Sequence, residues 1–350
     1  MFNNMPEVSA KKKGSMSQSK SRTQLLIGGL VGCLVLLLCL ALAGGAGWYF
    51  TLGPGASGNA ASGIGTNKAA NQPGSSAAPA NVGTGKTNFR IAYSVQTGDS
   101  PEGKSVWVIN PDGSGAKQLL PQASSPTFSP DGKLIAYYHW TDGIYLANAD
   151  GTNPHKIVGE TNAKFLAWSP DGKWIAFSSN PSGKETGNIN IDAVAPDGGQ
   201  RRTIIIGGST PSWSNDAMRL AFWSCRGPDC GLIVASSLGG DSGKLIAGEF
   251  GASPALSPDG TKILYQAEAD QVKHLFLINP DGSGKKQITK GTAHHVGAQW
   301  SPDGTTIFYR SPEGGSWGIW KMNADGSNPV KLVSDAPPPD WAFERVAVSR

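Results

Sequence analysis

The chain reads as all-β: a six-bladed β-propeller of four-stranded blades, preceded by a single transmembrane helix and a flexible linker. Three observations predict this. First, F-S-P-D-G-K-L-I-A-Y-Y at Phe128–Tyr138 returns as Trp168–Phe177 and Trp300–Tyr309, with weaker copies at Trp213–Phe222 and Leu256–Tyr265. Second, Ser129, Ser169, Ser214, Ser257 and Ser301 of this unit are spaced 40, 45, 43 and 44 residues apart, a period that with strand–turn chemistry marks a propeller blade. Third, the segment after each turn, such as Leu134-Ile135-Ala136-Tyr137, is apolar on both sides, as in a strand covered on both faces.

The chain in order begins with residues 1–24, a polar tail in which Lys11, Lys12, Lys13, Lys20 and Arg22 stand against Glu7. That tail carries the whole formal charge of +4, and the rest holds equal numbers of basic and acidic residues. A neutral folded part has no basic stripe for nucleic acid. Residues 25–52 have no charge, and their apolar heart, Leu25–Ala43, is long enough to span a bilayer core of roughly 30 Å. The basic tail ahead of it keeps the N-terminus cytoplasmic and puts the propeller outside the cell membrane. Two rival readings stand beside the anchor: a signal-peptidase site at Ala41-Leu42-Ala43, and a lipobox at Leu30-Val31-Gly32-Cys33 whose apolar run continues past the cysteine. Length favours the anchor. Residues 53–86 are Gly, Ala, Ser, Asn and Pro with almost no large apolar group, the composition of a tether. A Walker-like Ala80–Thr87 in it lacks the strand before and the helix after that a P-loop needs.

The propeller occupies residues 87–350. In S-P-D-G, Pro sets φ, Asp bonds to the nearby backbone and Gly accepts positive φ. Asp131, Asp171, Asp259 and Asp303 are therefore turn formers. A second turn follows the third strand of each blade, at Asn110–Gly113, Asn148–Gly151, Ala195–Gly198, Asn279–Gly282 and Asn323–Gly326, with Ser237–Gly240 as a degenerate sixth. Third strands are expected at Val106–Ile109, Ile144–Ala147, Leu275–Ile278 and Ile319–Met322, and fourth strands at Gln118–Leu120, Lys285–Ile288 and Val330–Val333. The first blade begins at its second strand, Arg90–Ser94, so the C-terminus must supply the missing one. Pro339-Asp340-Trp341, followed by Arg345–Ser349, is the candidate, with no clear place for Val346–Val348. Closure removes the free edges of the array.

The W-S-P-D-G-x-x-I-A-F and N-x-D-G-S units resemble the WD40-like repeat of TolB-type propellers over about residues 88–350. The resemblance implies the fold and a cell-envelope setting. Similar propellers also gate prolyl-oligopeptidase-type enzymes and form the body of some polysaccharide lyases.

The short turns share one face, and the variable connections share the other, where function is expected. Candidate ligand- or partner-binding residues on the irregular face and channel mouth are His139, Trp140, Lys164, His294, His295 and Trp317. Adjacent histidines on an extended segment point apart, so His294 and His295 make a poor metal pair, and no metal or other cofactor is expected. Gly314–Gly318 matches G-x-S-x-G without the strand–turn–helix that a nucleophile elbow requires. No convergent catalytic set is found. Cys225 and Cys230, at facing ends of a hairpin loop, are expected to form a disulfide in an oxidising compartment. The function expected is a membrane-tethered binding or scaffolding module taking a protein or glycan ligand. The alternative is a lyase-like carbohydrate-active propeller using His294 or His295 with His139.

Overall fold

The structure, a computed structural model, describes residues 89–180, 189–226, 229–240, 243–248, 251–335, 337–340 and 342–349. The expected tail, transmembrane helix and linker, residues 1–86, lie outside the described residues, among which no helix is long and apolar enough to cross a membrane.

Six four-stranded antiparallel sheets form the blades. The first holds β1 (Ile91–Gln96), β2 (Lys104–Ile109) and β3 (Lys117–Pro121); the second holds β4 (Ala123–Phe128), β5 (Leu134–His139), β6 (Gly143–Asn148) and β7 (His155–Val158). The third holds β8 (Lys164–Trp168), β9 (Ile175–Ser179), β10 (Asn190–Val194) and β11 (Arg201–Ile206). In the fourth are β12 (Gly208–Trp213), β13 (Arg219–Arg226), β14 (Asp229–Ser236) and β15 (Lys244–Ala247). The fifth has β16 (Gly251–Leu256), β17 (Ile263–Ala269), β18 (Val272–Ile278) and β19 (Lys286–Gln287). The sixth has β20 (Val296–Trp300), β21 (Thr306–Ser311), β22 (Gly318–Asn323) and β23 (Val330–Ser334).

The ring closes with β24 (Ala347–Val348), which pairs with β1 through Ile91↔Val348 and Ala92↔Ala347. This corrects the expected closing strand. Pro339 and Asp340 form a turn, whereas the segment without an assigned place is the closing strand. The physical reason is local: Pro337, Pro338 and Pro339 have no N–H to donate to a ladder.

The turns explain the repeat. In each S-x-D turn the Ser hydroxyl donates to the Asp carboxylate, at 2.6 Å for Ser129–Asp131 and 2.5 Å for Ser301–Asp303. The same hydroxyl accepts the N–H five residues on, at 2.9 Å in both turns. These donors hold Asp131, Asp259 and Asp303 below the usual carboxylate range, so the motif aspartates are spent on structure. In the second turn Asn110 Nδ2 donates to Ser114 Oγ, and Asp112 accepts from the same serine. The glycine of this turn also abuts the preceding blade: a Cβ on Gly326 would lie 2.5 Å from the Ile288 carbonyl, and Gly326 has φ of 91°.

The core lies between blades. Trp213 of blade four packs with Ala176, Ala193 and Ile205 of blade three, and Trp300 of blade six with Leu264, Leu275 and Leu277 of blade five. Both indoles donate back across the interface at 3.0 Å, Trp213 to the Ala167 carbonyl and Trp300 to that of Ala255.

Candidate functional site

Every innermost strand from β4 to β20 carries a bulge near its start, where the ladder register shifts. Ser125, Phe165, Thr210 and Ser253 there have φ of 52, 58, 53 and 54°, and Gly297 has 62°. The bulge turns an N–H out of the ladder, and a side chain from elsewhere takes it up. Thr210 N donates to Ser178 Oγ at 2.9 Å and Gly297 N to Gln266 Oε1 at 2.8 Å, while Ser125 N donates to the Glu344 carboxylate.

Glu344 belongs to a strap whose described residues, 337–340 and 342–348, lie across the irregular-face mouth of the channel. It touches all six blades. Ser94 Oγ of blade one and Ser125 N of blade two donate to Glu344, and Lys164 of blade three pairs with Asp340 at 3.0 Å. Arg345 donates to the carbonyls of Pro211 in blade four and Pro254 in blade five. Ser253 Oγ and Gln266 Nε2 of blade five donate to the carbonyls of Phe343 and Ala342, and Val346 N donates to Gly297 O of blade six at 2.8 Å.

Phe343–Val348 thereby floor a funnel of about 160 Å³ that opens on the opposite, S-P-D-G face. Its wall includes Thr127, Ser212 and Gln299, and Pro130, Pro170, Asn215, Pro258 and Pro302 stand at its rim. At the floor, burial raises Glu344 to about 7 and lowers Arg345 to about 10. Glu344 Oε2 and Ser125 Oγ, both buried, have no hydrogen-bond partner among the described residues.

The sequence-predicted residues fall into three separate places. Trp140 and Lys164 meet at the corner of blades two and three. Lys164 Nζ at 4.3 Å and Lys104 Nζ at 4.5 Å both lie over the Trp140 ring, which packs against the core cluster of those blades. His139 turns to Thr141 Oγ1 at 2.8 Å and Asp142 at 3.3 Å. His294 and His295 sit between blades five and six and do part: His294 Nδ1 accepts the Lys273 N–H, while His295 stacks 5.4 Å from His274 and faces Glu313 at 3.4 Å. Burial lowers all three histidines, 274, 294 and 295. His139 and the His294–His295 pair lie on different blades, and no cluster of three metal-ligating residues occurs among the described residues. Trp317 is half-buried, and its carbonyl accepts the Asp335 N–H where the strap begins. Ser316 Oγ of the G-x-S-x-G stretch accepts from Lys331 Nζ at 2.9 Å on an exposed loop. Cys225 and Cys230 face each other on β13 and β14 and are joined by a disulfide.

Sequence reasoning missed Glu344, Arg345, Gln266, Arg310 and Asp335. Its one available signal was the charged pair Glu344-Arg345 inside the apolar run from Phe343 to Val348.

A closed six-bladed ring with a blind central funnel defines a propeller scaffold. Residues 90–286 and 188–336 match the TolB beta propeller domain family, and the chain belongs to that family. It is 25% identical over 238 residues to the TolB homologue of Protochlamydia amoebophila, covering 59% of this chain and only half of that relative's length. Among solved structures it is similar to TolB from Acinetobacter baumannii, with a TM-score of 0.62 and 22% identity over 76% of this chain and 67% of that one. A chain of the nidogen/laminin complex has the same fold at 12% identity, with a TM-score of 0.57 over 75% of this chain and 98% of that one.

Proposed function

We propose that this chain is a binding module of the cell envelope: a propeller held outside the membrane by residues 25–52, whose protein ligand docks over the funnel on the S-P-D-G face. The observation that carries this reading is the funnel itself. Its volume of about 160 Å³ is well below the roughly 300–1,000 Å³ of a site that encloses a small molecule or sugar. It has room for one or two side chains of a larger ligand, with the short turns around it as a landing surface. The uncharged apolar span behind a basic tail supports the tether. The Cys225–Cys230 disulfide supports an oxidising compartment.

The test is cross-linking in intact cells followed by recovery of the full-length chain. Asn215→Arg and Gln299→Arg narrow the funnel; Trp140→Ala and His294→Ala change the opposite face. A discrete protein partner that disappears with the funnel variants and stays with the others is expected. Loss with Trp140→Ala or His294→Ala alone, or no partner in any variant, overturns the assignment. In parallel, carbonate washing should leave the chain in the membrane fraction.

A further inference from the structure

The ring is closed by a ladder of two residues, Ala347 and Val348, where the other innermost strands have five or six. Its hold therefore depends on the polar pins of the strap, and Glu344 is the deepest of them at 2% exposure. The surrounding charges are otherwise engaged. Arg310 pairs with Asp335 at 2.9 Å, Lys164 with Asp340 at 3.0 Å, and Arg345 donates to two carbonyls. Tyr93 lies beneath Arg310 and is raised out of the working range by burial. Glu344 is left with two neutral donors, both on Oε1, with the negative Asp340 as a neighbour and with a weaker opposing pull from Arg310. A carboxylate in such a place is far less favourable than a carboxylic acid.

We propose that the strap is a charge-gated closure: it stays seated while the Glu344 carboxyl is neutral and loosens when that carboxyl ionises, opening the funnel floor and the seam between the first and last blades. The sign follows from burial, which raises the seated carboxyl from 4.5 to about 7. A released strap binds the proton less tightly, so seating is strongest in acid and is lost as pH rises through about 7. Between about pH 6 and about pH 8 the released fraction rises about tenfold. Asp335, raised to about 6 mainly by burial, acts in the same direction and is largely ionised before that window ends.

Hydrogen–deuterium exchange of the full-length chain tests this, with rates corrected for base catalysis. The amides of Glu344, Val346 and Ser349 bond to Asp340 O, Gly297 O and Arg90 O and report the seated strap. They should open about tenfold more at about pH 8 than at about pH 6, while amides of the central strands β5 and β17 do not change. Glu344→Gln should cut the difference to about the twofold that Asp335 leaves. Equal opening at both pH values, or greater opening in acid, overturns the proposal from the unmodified chain alone, whether or not the variant folds. A Glu344→Gln chain that folds and keeps the full pH dependence overturns it as well.

Discussion

Replacing Asp335 with alanine strips the partner from the most deeply buried arginine of the ring. Arg310 is 1% exposed; its Nη1 donates to the Ser94 carbonyl at 2.6 Å and its Nη2 to Asp335 Oδ1 at 2.9 Å. Burial lowers Arg310 and raises Asp335 to about 6, each against the pull of the other, so desolvation outweighs attraction for both partners. Such a pair adds little net stability when intact and costs much when broken. Asp335→Ala should therefore destabilise the chain by about 3–5 kcal/mol. Arg310→Met combined with Asp335→Leu removes both desolvation costs and orphans the Ser94 carbonyl, a loss of about 1–3 kcal/mol. Guanidinium denaturation followed by tryptophan fluorescence near neutral pH gives both numbers. The double variant should be the more stable of the two. A single variant within about 1 kcal/mol of the unmodified chain, or a double variant no better than the single, would refute this view of the seam.

Trp213→Phe keeps most of the wedge between blades three and four but deletes the bond to the Ala167 carbonyl, and should cost about 1–2 kcal/mol by the same denaturation assay. Cys225→Ser should cost about 2 kcal/mol, since the loop it closes is short; the unmodified chain should lose the same amount in reductant and the variant nothing further. His295 is lowered mainly by burial, so the unfolded chain takes up the proton first and stability should fall as pH drops below about 6.5. His295→Gln should make that acid limb shallower in a pH series of melting temperatures, with His274 and His294 keeping part of it, while the opposite limb set by Asp335 and Glu344 persists.

The blades were legible because their chemistry is local. Ser129 and Asp131, or Asn110 and Ser114, bond within five residues of each other, so each turn can be read from a short window. The strap was not legible, because its meaning lies in partners far along the chain: Glu344 meets Ser94 across 250 residues and Arg345 meets Pro211 across 134. The same non-locality hid the funnel. Variable connections were reason to look at the irregular face, yet the longest of them, between β23 and β24, folds inward and fills that mouth, leaving the open funnel on the face of the regular turns. Trp140 and Lys164, expected as ligand- or partner-binding residues, meet each other over a core cluster and beside the strap.

The placement of buried charge follows from the same geometry. Contacts between successive blades repeat, so similar turns and similar indole wedges serve several interfaces. The seam is different: it joins the two ends of the repeat array, and a two-residue ladder offers little to distinguish correct closure from an open ring or from a strand lent to a second copy. Arg310 and Glu344, the least exposed of the buried Lys, Arg, Asp and Glu side chains among the described residues, both stand there. Buried polar partners contribute little net stability, but they penalise every arrangement that leaves one of them unmatched. A strap that must find Ser94, Ser125, Lys164, Pro211 and Pro254 together has only one way to seat, and the same arrangement makes its seating sensitive to a single proton.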